Sequence, residues 1–390
     1  MITVAEALAH LFTLVSPLEA EDIALTKAHG RVLAKDVRAT RNQPPFAASA
    51  MDGYAVIGTE IGTGQSFDII GEAAAGHRWD GTVGSGQAVR IFTGAPLPDG
   101  TDHVLIQENV ARSGDTITVD DSANDKPHVR PAGADFKIGD AIKAPRRLTP
   151  SDIALLASMN IANVPVVRRP IVAIIATGDE LVQPGETPSD DQIIASNSYG
   201  LAALIEEFGA QARLLPIARD NLASLELAFD LAADADLIIT IGGASVGDHD
   251  LVGDAAQAKG MQRAFYKVAM RPGKPLMAGR IGNAAMIGLP GNPVSAMVCG
   301  HIFVAPVIRK MLGLGTHPAP REIHKLAKDI PANGPREHYM RAHLGVDGVT
   351  IFDRQDSALL TVLADANCLA VRPMDDPARH AGTSIEIIRL

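Results

Sequence analysis

Residues 236–250 run an apolar segment into a glycine loop that ends in carboxylates. Asp236-Leu237-Ile238-Ile239-Thr240-Ile241 is apolar without alternation, the pattern of a strand buried on both faces of a parallel sheet. Gly242-Gly243-Ala244-Ser245-Val246-Gly247 follows, then Asp248, His249 and Asp250. Open α/β sheets bind ligands at the carboxyl ends of their strands. Glycines such as Gly242, Gly243 and Gly247 let backbone amides approach an oxyanion closely, and Ser245 adds a hydroxyl donor. The carboxylates beyond suit a hard cation such as Mg²⁺ that bridges to phosphate. The same residues also fit a tight strand-to-helix turn with solvated acids. The loop becomes a site only in company.

Three other segments supply it. An apolar run at 171–176 ends in Thr177-Gly178-Asp179-Glu180-Leu181, and another ends at Ile217-Ala218-Arg219-Asp220. A fourth gives Ile287-Gly288-Leu289-Pro290-Gly291-Asn292-Pro293-Val294-Ser295 and leads into a helix. Pro293 suits a first helical turn, where a missing N–H costs nothing, and that helix end could hold an anion. Carboxyl-end loops bearing Glu180, Asp220, Asp250 and Ser295 would meet on one rim, which favours a phosphate-ester site over four unrelated turns. Arg271-Pro272-Gly273-Lys274-Pro275 adds two cations in a proline-stiffened loop, able to clamp an oxyanion or equally to form a solvated turn.

A second polar set lies upstream. Ser49-Ala50-Met51-Asp52-Gly53-Tyr54-Ala55 places an aspartate between apolar residues and a glycine, the setting of a fixed, half-buried carboxylate. Phe92-Thr93-Gly94-Ala95-Pro96-Leu97-Pro98 and Arg130-Pro131-Ala132-Gly133-Ala134-Asp135 are stiff loops with polar tips. By themselves these three read as turns of a small β fold.

The elements that must position these loops divide the chain. Val4, Ala7, Leu8, Leu11 and Leu14 recur at helical spacing, and residues 1–35 are predicted helical. Residues 44–140 shift to short strands and turns, including Val89-Arg90-Ile91, His103–Ile106 and Thr116–Val119. Thr149-Pro150-Ser151-Asp152 reads as a helix start. Residues 170–314 alternate strand and helix signals, which predicts βαβ units and a mostly parallel sheet. Strands are expected near 171–176, 212–217, 236–241 and 284–288, and helices near 198–209, 222–233 and 293–312. His317-Pro318-Ala319-Pro320 reads as a linker into a small β domain ending the chain. The predicted organisation is a multidomain α/β protein. Its parts are an N-terminal helical domain (1–43 plus 141–169), an inserted β-rich module (44–140), an α/β domain (170–314) and a C-terminal β domain (315–390).

Bulk properties narrow the function. At 390 residues, 46% hydrophobic and 21% charged, the composition is that of a folded protein of two to four domains. A net charge of −10 disfavours nucleic acid and anionic membrane as partners. Cys299 and Cys368, far apart in apolar surroundings, read as buried thiols. Met1–Ala7 lacks a basic, then apolar, leader, and no apolar run reaches a membrane span, so the expected location is the cytoplasm.

Taken as an ordered set, these segments resemble the molybdopterin molybdenumtransferase family (MoeA and the E domain of gephyrin). Ser49–Ala55, Phe92–Pro98, Thr177–Leu181, Gly242–Gly247 with Asp250, Pro272–Pro275 and Leu289–Ser295 carry the resemblance, which spans nearly the whole chain. It implies four domains with a central molybdopterin-binding α/β domain, and a homodimer whose β module faces the α/β domain of the other subunit. It associates Asp52, Thr93, Asp135, Glu180, Asp220 and Asp250 with activity, along with Pro290 and Pro293. The implied reaction inserts molybdate into adenylylated molybdopterin and releases AMP, with contact to the molybdopterin-adenylylating protein. Both substrates are anionic, so a carboxylate-rich site needs a cation; Mg²⁺ on Asp220 and Asp250, helped by Glu180, meets that need. Molybdate is expected near Arg271, Lys274 and Ser295, with Arg341 and Ser357 further candidates. Two departures stand out. Arg271 occupies a position where the family usually has Lys, and Gln355-Asp356-Ser357 carries an acid where a small residue is common. A stand-alone adenylylating enzyme would lack the β module and Asp52, and a pure scaffold would have no use for the acidic set.

Overall fold

Thr3 opens the first helix, α1 (Val4–Leu14), through a reciprocal capping box with Glu6. Val15 is already extended, and residues 20–24 form a strand, so helix covers far less of residues 1–35 than their apolar spacing predicts. Pro17 disfavours helix in the residue before it, which accounts for the early stop. The second helix, α2 (Pro150–Ser158), starts as its sequence indicates, with Thr149 as cap, Pro150 in the first turn and Asp152 closing the box.

The computed structural model describes residues 1–120, 126–243 and 251–390. These form two compact units: Met1–Glu21, Gly30–Ala34 and Val166–Leu390 make one, Asp22–His29 and Lys35–Pro165 the other.

The smaller unit is built on a six-stranded sheet. Its strand order is 103–106, 53–56, 87–91, 66–73, 116–119 and 110–113. Tyr54, Phe67, Leu105 and Ile117 fill one face, and Ala55, Val89, Ile91 and Val104 the other. The three strands read from sequence are all present. Ser66–Ala73 escapes a pattern search because its register shifts between Ile69 and Gly71, which breaks the alternation.

In the larger unit, six strands form the central sheet: β1 (Ile171–Ala176), β2 (Gln211–Leu214), β3 (Leu237–Ile241), β4 (Gln262–Tyr266), β5 (Met277–Ile281) and β6 (Ala284–Leu289). The order is β2-β1-β3-β6-β5-β4; the first four run parallel, β5 runs antiparallel to β6, and β4 antiparallel to β5. Both faces are covered. Val172 and Ile174 of β1 face one core with Leu201, Leu204 and Phe303, while Ala173 and Ile175 face another with Leu225, Phe229 and Val252. That explains the unbroken apolar runs. Helices α3 (Ser196–Glu207), α4 (Leu222–Leu231) and α5 (Leu251–Ala258) lie between strands in the chain.

After β6, α6 (Pro293–Cys299) passes through a π-helical turn at Gly300–Val304 into α7 (Ala305–Met311). The span Pro293–Met311 has the length and mean hydropathy (1.3) to cross a membrane, but 78% of its apolar window is buried inside the protein. It is a core helix. Gly300 admits close packing, since a Cβ there would lie 2.6 Å from Leu204 Cδ2.

The C-terminal strands are β7 (Glu322–Lys325), β8 (Glu337–Gly345), β9 (Gly348–Ile351), β10 (Cys368–Arg372) and β11 (Ser384–Arg389). The two-residue strand Met270–Arg271 joins their sheet beside β8, so Arg271 pairs with His338. The Arg271–Lys274 loop is thereby carried by this sheet rather than by the parallel one. Cys299 and Cys368 are both buried free thiols, and burial pushes the Cys368 thiol up to about 11.

Candidate functional site

Backbone hydrogen bonds set four carboxyl-end loops at one level. The Thr177 N–H donates to Ile241 O (3.0 Å), Gly178 to Ala218 O (3.1 Å), and Gly242 to Leu289 O (3.1 Å). The loops after β1, β2, β3 and β6 therefore leave the sheet side by side. Between them opens a cleft of about 990 Å³ whose walls include Gly178, Glu180, Asp220, Gly242, Gly243, Pro290 and Pro293. Six residues singled out from the sequence, Glu180, Asp220, Gly242, Gly243, Pro290 and Pro293, line this one cleft.

Glycine is needed at the cleft floor. Gly243 has φ +67°, and a Cβ there would stand 2.2 Å from Val252 Cγ2. The amide of Gly242 is committed to Leu289, so it is not a free donor for an oxyanion. Ala244, Ser245, Val246, Gly247, Asp248, His249 and Asp250 lie outside the described residues. The expected roles of Ser245, Gly247 and Asp250 stay with the sequence.

Glu180 and Asp220 are exposed, and neither carboxylate has a hydrogen-bond or ion-pair partner among the described residues. Glu180 folds over Gly178, where a Cβ would lie 2.4 Å from its Oε2. Asp220 is held by its backbone, its N–H donating to Asp179 Oδ1 (3.3 Å), while Arg219 Nη1 donates to Asp179 O (3.0 Å). No Lys, Arg or His is among the described lining residues. No group of three metal-ligating side chains occurs among the described residues, so Glu180 and Asp220 are a partial oxygen donor set. Their chemistry fits a hard cation.

Sequence reasoning missed three polar contributors. Ser196, Asn197 and Ser198 start α3 at the cleft wall, and Ala195, at the cap position, makes no side-chain cap. The first-turn amides of α3 make that end a place for an anion. Asn197 Nδ2 donates to Gly291 O (2.6 Å), tying α3 to the Pro290–Pro293 loop. Asn292, also on the wall, donates through Nδ2 to Ser357 Oγ (3.0 Å). The usable signal was a Ser/Asn cluster before an apolar helix, which is common at helix starts of every kind.

The expected oxyanion residues stand apart from that lining. Arg271, Lys274, Ser295, Arg341 and Ser357 are not on the cleft wall, although their neighbours Pro275 and Ala358 are. Ser295 and Arg341 are buried, and Arg341 Nε and Nη1 have no hydrogen-bond partner among the described residues. Burial lowers the Arg341 pKa, the Asp356 carboxylate opposes this, and Arg271 adds to it. His338 is pushed down to about 4, chiefly by burial, with Arg271, Arg341, Arg336 and Arg372 contributing. The set is cationic and short of acids.

In the smaller unit, Asp52 and Thr93 form one device. Asp52 Oδ1 accepts from both the N–H and the hydroxyl of Thr93, each at 2.7 Å. These bonds, the backbone one first, lower the Asp52 pKa, and Arg90 assists. Arg90 lies 4.9 Å above the rings of both Tyr54 and Phe92 and donates to Gly53 O. Pairing of Val129–Arg130 with Ala48–Ser49, and of Gly94 N–H with Ser49 O, gathers the three upstream loops. Asp135 lies in a hollow of about 610 Å³ with Phe46, Gly94 and Arg130. The sequence could list these loops but not join them.

Comparisons with known proteins agree along the chain. Family models match as the MoeA N-terminal region (domain I and II) over residues 2–160, the probable molybdopterin binding domain over 173–310 and the MoeA C-terminal region (domain IV) over 324–390. A molybdopterin molybdenumtransferase of Nostoc sp. is 35% identical over 400 residues, covering 97% of this chain and 92% of that protein. One from Haemophilus influenzae is 35% identical over 380 residues, covering 95% and 94%. The crystal structure of a molybdopterin biosynthesis MoeA protein from Pyrococcus horikoshii matches with a TM-score of 0.86 and 26% identity, covering 100% of each chain.

Proposed function

The chain belongs to the molybdopterin molybdenumtransferase family, and on that premise we propose that it inserts molybdate into adenylylated molybdopterin, releasing AMP and the molybdenum cofactor. The observation that carries this reading is the meeting of Glu180, Asp220, Gly243, the Pro290–Pro293 loop and the start of α3 on one cleft. Its size suits a pterin nucleotide, and the start of α3 offers amides to phosphate.

Among the described lining residues, an anionic substrate would meet two carboxylates and no cation. Glu180 and Asp220, with Asp250 by sequence, would hold Mg²⁺. When bound, that ion supplies positive charge to the phosphate oxygens as the bond to AMP breaks. The protein's own residues do the rest. The Gly243 amide and the first turn of α3 bind and orient the phosphates, and Asn197 and Asn292 hold the walls at their spacing. Asp52, kept ionised by Thr93, and Asp135 are the candidates for orienting water or carrying a proton.

Arg271, Lys274, Ser295, Arg341 and Ser357 would form the molybdate subsite. Arg341 Nε and Nη1, unpartnered among the described residues, support this, since buried guanidinium nitrogens left without hydrogen bonds are costly unless an anion completes them. The enzyme would act as a cytoplasmic homodimer that receives its substrate from the adenylylating protein. Asp250→Ala is the direct test of the acidic set: it should abolish AMP release while the circular dichroism spectrum stays that of the parent. Unaltered turnover would remove Asp250 from the reaction.

A further inference from the structure

Arg341 lies on β8 one position beyond the last residue pair with β9, Ala342 with Ile351. The Phe352 N–H still donates to Arg341 O (3.1 Å), but the chain leaves β9 there and the Arg341 N–H on that side is met by a side chain instead. Gln355 supplies the acceptor the strand no longer does and a second donor to the carbonyl. Its Oε1 accepts from the Arg341 N–H (3.0 Å), and its Nε2 donates to Arg341 O (2.9 Å) and Phe352 O (2.7 Å). Only a primary amide of this length offers both an acceptor and a two-proton donor here. The neighbouring carbonyls then hold one end of the guanidinium: Nη2 donates to Asp356 O (2.9 Å) and Arg354 O (3.4 Å). Nε and Nη1 have no partner among the described residues, in a side chain with no solvent exposure.

The same segment reaches the cleft. Asp356 Oδ1 accepts from the Ala358 N–H (2.8 Å), fixing the turn, and Ala358 is on the cleft wall. Ser357 accepts from Val294 N–H through its carbonyl and from Asn292 through its hydroxyl, each at 3.0 Å. Residues 355–358 therefore strap Arg341 to the start of α6.

We propose that Gln355 is a positioning residue for the oxyanion subsite, holding Arg341 so that its Nε and Nη1 remain available to a tetrahedral oxyanion. The proposal rests on the reading of Arg341 as part of the molybdate subsite. Gln355 touches no substrate; it acts through Arg341.

The test is steady-state AMP release by the full-length chain, with molybdate titrated at saturating adenylylated molybdopterin. Losing the hydrogen bonds that place one charged group should raise the molybdate KM of Gln355→Met roughly tenfold. The kcat and the KM for the pterin should stay within about twofold, because the phosphate-binding loops are untouched. Arg341→Lys should also raise the molybdate KM, and the double variant should be no worse than Arg341→Lys alone. Gln355→Glu, which keeps size and acceptor but loses the donor, repeats the test if the Met variant does not fold. An unchanged molybdate KM at Gln355, with Arg341→Lys impaired, overturns the inference alone. Additive losses, or failure of both Gln355 variants to fold, also overturn it by making Gln355 structural. An unimpaired Arg341→Lys removes the subsite itself, and the inference with it.

Discussion

Glu180 and Asp220 are exposed on the cleft wall and unpaired among the described residues, which separates their structural worth from their chemical worth. An exposed, unpaired carboxylate contributes little to folding. Glu180→Gln and Asp220→Asn should each leave the melting temperature within about 2 °C of the parent. Each should also cut AMP release by roughly 10² or more, the scale of losing one charge-stabilising group. Parent-like turnover would take that carboxylate out of the reaction. Asp52 differs, because its two bonds to Thr93 make it part of a fixed turn as well as a candidate reactant. These acids were legible in the sequence because glycines and prolines mark the loops that carry them. Arg341 was harder to read. Set among Met340, Ala342 and Leu344, its letters do not show that the guanidinium is buried, and only the ladder end and Gln355 reveal what holds it.

The turns at the parallel strand ends obey local rules, so their placement could be read in advance. Gly243 shows the rule at work, with positive φ and no room for a Cβ beside Val252. Gly243→Ala should destabilise the protein by about 1–3 kcal/mol, from left-handed strain plus the clash. Adding Val252→Ala relieves only the clash. Chemical denaturation of the two variants separates the terms, and equal stability of Gly243→Ala and the parent would refute the packing argument. The hairpin β4–β5 was not readable: Gln262–Tyr266 and Met277–Ile281 mix charges and small residues, and tertiary pairing makes them strands. Burial inside two elements also sets a pH limit. His301, on the π turn, and His338, on β8, are each pushed down to about 4, mainly by burial. Unfolding returns them to their ordinary value near 6.5, so between about pH 6.5 and 4 the unfolded chain binds more protons. Stability is full above that window and falls as pH drops through it, by about 1–2 kcal/mol per histidine at pH 5. His301→Gln should shrink the difference in unfolding free energy between pH 7 and pH 5, and an unchanged difference would mean that His301 titrates normally.

At the scale of the whole molecule, the sequence divides the chain into four parts, while the described residues cluster as two compact units. The C-terminal strands share the larger unit with the parallel sheet, and Met270–Arg271 pairs with β8. Sequence could not show this, because a two-residue strand has no pattern to detect. The proposed homodimer has its own test. If Asp52 and Asp220 serve one site from different chains, mixing inactive Asp52→Ala and Asp220→Ala subunits should restore up to about a quarter of parental AMP release, the share of sites in a random mixture that draw on two unmutated halves. No recovery after subunit exchange would place both in one chain or outside the reaction. The central claim is tested most directly by AMP release from adenylylated molybdopterin and Mg²⁺, with and without molybdate. The account predicts release that depends on molybdate, with molybdenum retained on the pterin. Tight binding of the pterin nucleotide with no release in either condition would contradict it and leave the carboxylates of the cleft without a reaction.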